Sequence, residues 1–88
     1  MFYVYVLKSK VDGSIYVGYT NDLKRRLVEH NERRNRSTKH KAPFQLVYYE
    51  AYNSRADARN REDNLKRHSG ALIHLKRRAK NSMEGNSM

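Results

Sequence analysis

The sequence predicts a small single-domain α/β (α+β) protein, and two observations carry that prediction. Three runs rich in aromatic and β-branched residues, at 2–7, 15–19 and 44–51, read as strands. The segments at 22–33 and 54–68 place apolar residues at helical spacing behind good capping residues. A chain of 88 residues has room for one core, and that core must be thin because 38% of residues are apolar and 32% charged. Residues 1–80 are expected to form the domain. Residues 81–88, NSMEGNSM, have little to bury and are expected to be a disordered tail.

The first strand, FYVYVL, is apolar on both faces and should lie centrally in its sheet. Asp12-Gly13 signals a tight hairpin with 15–19 as the returning strand. With those two as the turn residues, Tyr16 falls opposite Ser9 and Thr20 opposite Tyr5. Strand alternation then sets Tyr5, Leu7, Tyr16, Gly18 and Thr20 on one face, with the two tyrosines about 13 Å apart lengthwise at about 3.3 Å per residue. Asn21 is the expected N-cap of a helix from Asp22 to about Arg33. Leu23, Leu27 and Val28 form its apolar stripe, and Arg26 and His30 share the adjacent face. Residues 31–43, NERRNRSTKHKAP, lack apolar periodicity and read as a mobile, basic loop closed by Pro43. After the third strand, Ser54 and Asp57 resemble a capping box. The helix they open should stop near His68 at Ser69-Gly70, followed by a shorter one carrying Leu72, Ile73 and Leu75.

Charge limits the partners. Lys and Arg number 19 against 9 Asp and Glu, a net +10 that should attract polyanions in a salt-sensitive way. Nucleic acid is the first candidate. An anionic membrane would call for an amphipathic helix with bulky anchors, which is not evident, and no segment approaches spanning length. The absence of cysteine removes disulfide frameworks and thiolate metal sites, and a cytoplasmic location is expected. His30, His40, His68 and His74 lack the spacing of a metal cage.

The sharpest anomaly is Glu62. It lies at helical spacing between Ala58 and Leu65, so the stripe facing the sheet carries a carboxylate at its centre. Such a group calls for a cation, a metal or donors, and a salt bridge to Arg59 or Arg61 is the simpler alternative. Arg26 beside its own apolar stripe is either a solvated charge or a guanidinium turned towards the sheet, able to grip a phosphate. The tyrosines are most simply sheet residues, and a phenol serves as a base only where cations favour its phenolate.

Taken in order, Tyr3-Val4-Tyr5, Tyr16-Val17-Gly18, Thr20-Asn21-Asp22-Leu23, Arg26, His30 and the run Ala58-Arg59-Asn60-Arg61-Glu62 resemble the GIY-YIG nuclease family, in particular its small stand-alone members. Tyr3 and Val4 replace the glycine and isoleucine of the first motif. For the asparagine that many members place late, only Asn64 and Asn81 are on offer.

The resemblance implies a three-stranded, mainly antiparallel sheet flanked by helices. It also implies a metal-dependent endonuclease that hydrolyses phosphodiester bonds in DNA rather than RNA, in a structure-selective, repair-type role. Glu62 would hold Mg²⁺, with Mn²⁺ as a substitute. Tyr5 would be the base and Tyr16 its helper, Arg26 would neutralise phosphate charge and lower the phenol pKa, and His30 would support phosphate or base. Arg33, Arg34, Arg36, Lys39 and Lys41 would track the nucleic-acid backbone. The alternative is a basic DNA- or RNA-binding module on the same fold with little or no catalysis, and a structural part in a ribonucleoprotein is a third reading.

Overall fold

Strand β1 (Phe2–Ser9) sits between β2 (Ile15–Thr20) and β3 (Phe44–Tyr52), antiparallel to both, in the computed structural model of the protein, which describes residues 1–84. The central position follows from a strand that is apolar on both faces. Val4 and Val6 pack on one side with Val17, Val47, Ala58, Leu65 and Leu75. Tyr5 and Leu7 pack on the other with Ala42 and Phe44.

The hairpin register differs from the expected one by two residues: Tyr5 faces Gly18 and Leu7 faces Tyr16. Asp12-Gly13 does not form a two-residue turn. Ser9 donates its amide to the Ser14 carbonyl at 2.8 Å, accepts the Gly13 amide at 2.9 Å, and takes the Val11 and Asp12 amides on its hydroxyl. The buried serine thus gathers a wider loop around itself, and Gly13 supplies the positive φ of 75° that the loop needs.

Helix α1 (Leu23–Asn31) lies over the Tyr5 face, burying His30 and packing Leu23 and Leu27 against the sheet. Its N-cap is Asp22, whose carboxylate accepts the Arg25 amide at 3.1 Å, and not Asn21. The helix ends before Arg33, which adopts φ 60°. The Arg34 amide donates to the Glu29 carbonyl and the Arg33 amide to that of His30, closing the last turn.

The following loop is tethered rather than loose. Asn31 accepts the Phe44 amide and donates to the Phe44 carbonyl, Ser9 donates to the Lys41 carbonyl, Lys41 pairs with Asp12 at 2.9 Å, and a short 3₁₀ turn spans Lys39–Lys41.

Helix α2 (Arg55–Arg67) covers the other face, capped by the Ser54 hydroxyl, which accepts the Asp57 amide. Arg61 forks onto Glu50 of β3 at 2.9 and 3.1 Å, and the Tyr48 and Tyr52 hydroxyls donate to the same carboxylate. This cluster pulls the Glu50 carboxyl below its usual range: its burial acts upwards, but Arg61 and the two phenols outweigh it. It also fixes the rotation of α2. The chain breaks at His68, and Ser69 and Gly70 begin α3 (Ser69–Arg78) instead of ending α2. A last turn, α4 (Lys80–Met83), presses Met83 into the core, which differs from the disordered tail expected from residue 81. A single long apolar side chain was enough to order it. The remainder of that tail lies outside the described residues.

Candidate active site

Tyr5 is placed by the glycine opposite it. A Cβ on Gly18 would overlap the Tyr5 ring and hydroxyl, so only glycine lets the phenol lie across β2. The two-residue shift in register keeps Tyr5 and Tyr16 on one face but brings their ring centres to 6.4 Å, closing the separation expected from the tight hairpin. The His30 imidazole completes the group, 5.8 Å from the Tyr5 ring and 5.1 Å from that of Tyr16.

The Tyr5 hydroxyl meets two partners from successive turns of α1. Arg26 Nε donates to it at 3.3 Å, and His30 Nε2 lies 3.0 Å away. His30 Nδ1 is 2.9 Å from the buried Thr38 hydroxyl. The phenol oxygen accepts from Arg26; in the tautomer with the imidazole proton on Nδ1, the phenol donates to Nε2 and Nδ1–H donates to Thr38.

Burial, with the Arg26 charge beside it, pushes the His30 pKa down to about 4, so the imidazole is neutral at physiological pH. Burial also pushes the Tyr5 phenol up to about 12. The Arg26 hydrogen bond and charge act in the opposite direction, as expected of Arg26, but burial outweighs them. His30 has no exposed surface, and its Nε2 meets the Tyr5 hydroxyl rather than solvent.

Arg26 is half-buried and tied to Glu29 at 3.0 Å. Glu62 projects from the flank of α2 that overhangs β2. Its carboxylate pairs with Lys66 at 3.0 Å and Arg59 at 3.7 Å; Lys66 stands 5.8 Å from the Tyr16 ring centre and Arg59 5.1 Å from that of Tyr19. Of the salt-bridge partners expected for Glu62, Arg59 is present and Arg61 is committed to Glu50. Among the described residues no three His, Asp or Glu side chains converge on a point that could hold a metal. A lone half-buried carboxylate fits a Mg²⁺ ion that keeps most of its waters and shares substrate phosphate, and does not fit a closed protein cage.

Five of the predicted site residues therefore gather around β2, with Tyr5, Tyr16, Arg26 and His30 in one cluster and Glu62 on the adjoining helix flank. The loop cations stand apart: Arg34 is paired with Glu32 and Lys41 with Asp12, while Arg33, Arg36 and Lys39 are exposed. Asn64 accepts from Arg61, and Asn81 sits in α4, so neither joins the cluster. Sequence reasoning missed Thr38 and Glu29. The three-residue spacing of Arg26 and Glu29 is the signal that could have found their ion pair, whereas no signal in the sequence marks Thr38.

The chain matches the GIY-YIG catalytic domain over residues 1–79. It is 40% identical to a UPF0213 protein of Staphylococcus saprophyticus over 65 residues, 73% of this chain and 78% of that one. A UPF0213 protein of Streptococcus agalactiae is 44% identical over 61 residues, 68% of each chain. The solution structure of the UPF0213 protein BH0048 from Bacillus halodurans is similar with a TM-score of 0.51 and 38% identity, covering 86% of both chains.

Proposed function

Because this chain belongs to the GIY-YIG family, and within it to the small UPF0213 proteins, a nucleolytic domain is the premise, and we propose that it is a divalent-metal-dependent endonuclease acting on DNA. The observation that supports this best is the Tyr5 hydroxyl held between a guanidinium and a neutral, buried imidazole. Glu62 adds to it a carboxylate whose ion pairs lie within its own helix, which nucleic-acid binding alone does not require.

A phenol near 12 is a poor free base at neutral pH. The geometry offers a relay instead. As the Tyr5 oxygen takes a proton from the attacking water, its own proton passes to His30 Nε2, and Thr38 holds Nδ1–H in place. The imidazole becomes a better acceptor once anionic substrate stands beside Arg26, because nearby negative charge raises a histidine pKa. Water oxygen bonds to phosphorus, the bond to the 3′-oxygen breaks, and the leaving oxygen is protonated from solvent. Arg26 stabilises the charge that builds on the non-bridging oxygens, and Tyr16 positions the water or phosphate. Glu62 would hold the metal ion, whose part is to polarise the phosphate and stabilise the leaving oxygen.

Backbone contacts position a nucleic acid without reading its sequence, so selection of DNA structure rather than sequence, in a repair-type role, is the accompanying reading. The test is cleavage of labelled single-stranded, duplex, flapped and branched DNA and matched RNA in Mg²⁺, Mn²⁺ or EDTA. Wild type should cut DNA only with metal, and Glu62→Ala and Tyr5→Phe should lose at least about a hundredfold in rate, the lower end for a general base. Tight, salt-sensitive binding without cutting on every substrate would instead favour a binding module.

A further inference from the structure

Positions 55, 59, 62 and 66 recur at intervals of four, three and four, so Arg55, Arg59, Glu62 and Lys66 form one line along α2. That line faces β2, since Arg59 stands over the Tyr19 ring and Lys66 over that of Tyr16. At its head Arg55 shares with Arg25 and Arg26 a hollow of about 330 Å³ beside Thr20 and Tyr19. The cations are exposed, and they run past the site in which Tyr5 and Arg26 meet.

We propose that Arg55, Arg59 and Lys66 are the rail on which the substrate's sugar-phosphate backbone lies, with Glu62 set within it. The eleven steps from Arg55 to Lys66 rise about 16 Å at ~1.5 Å each, the rise of roughly five stacked nucleotides at ~3.4 Å each. The proposal deepens the nucleolytic reading above and rests on it for the identity of the ligand. A carboxylate within such a row repels phosphate unless a cation covers it. In the resting chain Lys66 and Arg59 provide that cover, at 3.0 and 3.7 Å, and are thereby withheld from phosphate. Once Glu62 is engaged by a divalent cation, both side chains are released to the backbone, so metal and nucleic acid each strengthen the binding of the other.

Binding is read by fluorescence anisotropy of a labelled flapped DNA duplex and its RNA counterpart over a series of salt concentrations, in EDTA and in Ca²⁺ as the divalent cation for Glu62. In Ca²⁺, Arg55→Gln, Arg59→Gln and Lys66→Gln should each weaken binding about two- to fivefold. Each should also lower the salt slope by about 0.7 on single strand or 0.9 on duplex. Arg67→Gln, paired with Asp63 and off the line, and Arg77→Gln on α3 should leave both unchanged. In EDTA, Glu62→Gln should tighten binding, and Arg59→Gln together with Lys66→Gln in that background should abolish the gain. Equal losses in the two control variants, rail variants that bind as wild type does in Ca²⁺, or a Glu62→Gln gain that persists without both Arg59 and Lys66 would overturn the rail. If the rail variants lose binding but nothing is ever cut, the rail stands and the nuclease reading falls. If wild type cuts DNA and the rail variants bind normally, the reverse holds.

Discussion

Gly18 and Thr38 set the position of the Tyr5 hydroxyl without reacting themselves. A methyl group at position 18 would force the phenol off β2, so Gly18→Ala should cost about 1–3 kcal/mol, as overpacking does. Cleavage should fall towards the level of Tyr5→Phe, as checked by urea midpoints and single-turnover rates on the same preparations. Thr38→Val keeps the shape and removes the acceptor for His30 Nδ1–H, leaving a buried donor unpaired. A loss of about 1–3 kcal/mol is expected, read as a lower urea midpoint with unchanged m. The sequence singles out Tyr5, Tyr16, Arg26, His30 and Glu62 because each keeps its place in an ordered pattern, and the first four meet in the structure. Thr38 was not legible: within RSTKH a buried hydroxyl looks like any loop threonine, and its partner is set by a fold-back of eight residues that local chemistry does not encode.

Elements were easier to read than the joints between them. The faces of β1 and β2 were assigned correctly from alternation alone, because a shift of two residues returns every side chain to the same side. The distance between the two tyrosines was wrong for a reason of turn chemistry: Asp12-Gly13 looked like the whole turn, while Ser9 captured the amides around it. At the end of α1, the closing turn demands a left-handed residue and Arg33 occupies it. Arg33→Gly should therefore stabilise the protein by about 0.5–1 kcal/mol in thermal or urea unfolding. If Arg33 also touches nucleic acid, affinity falls while stability rises, which separates its two roles.

For the molecule as a whole, the neutral imidazole makes folding depend on pH. The unfolded chain protonates His30 near 6.5, whereas the folded chain resists until about 4. The contribution is therefore complete above about pH 6.5 and is lost as pH falls towards 4, on the order of 3 kcal/mol at most. Melting temperatures from pH 7.5 to 4 should decline for wild type, and decline less for a His30→Gln variant that starts lower. The Glu50 carboxyl, held below its usual range, adds a further loss that begins as pH falls through the range where free glutamate protonates and continues below it. The fold class and the two-sided core were legible because burial on both faces of β1 is a property of six consecutive residues. The Glu50–Arg61 clamp was not, since it joins residues eleven apart across two elements. The polar ties that join α1 to the sheet and the loop run through Arg26, His30 and Asn31, and two of these three are also site residues. Glu62 makes both of its ion pairs within its own helix. A lineage freed from selection for cutting would therefore keep Tyr5, Arg26 and His30 as masonry while its glutamate drifted. Among relatives it is the carboxylate, and not the tyrosine and histidine, whose presence reports that the chemistry survives.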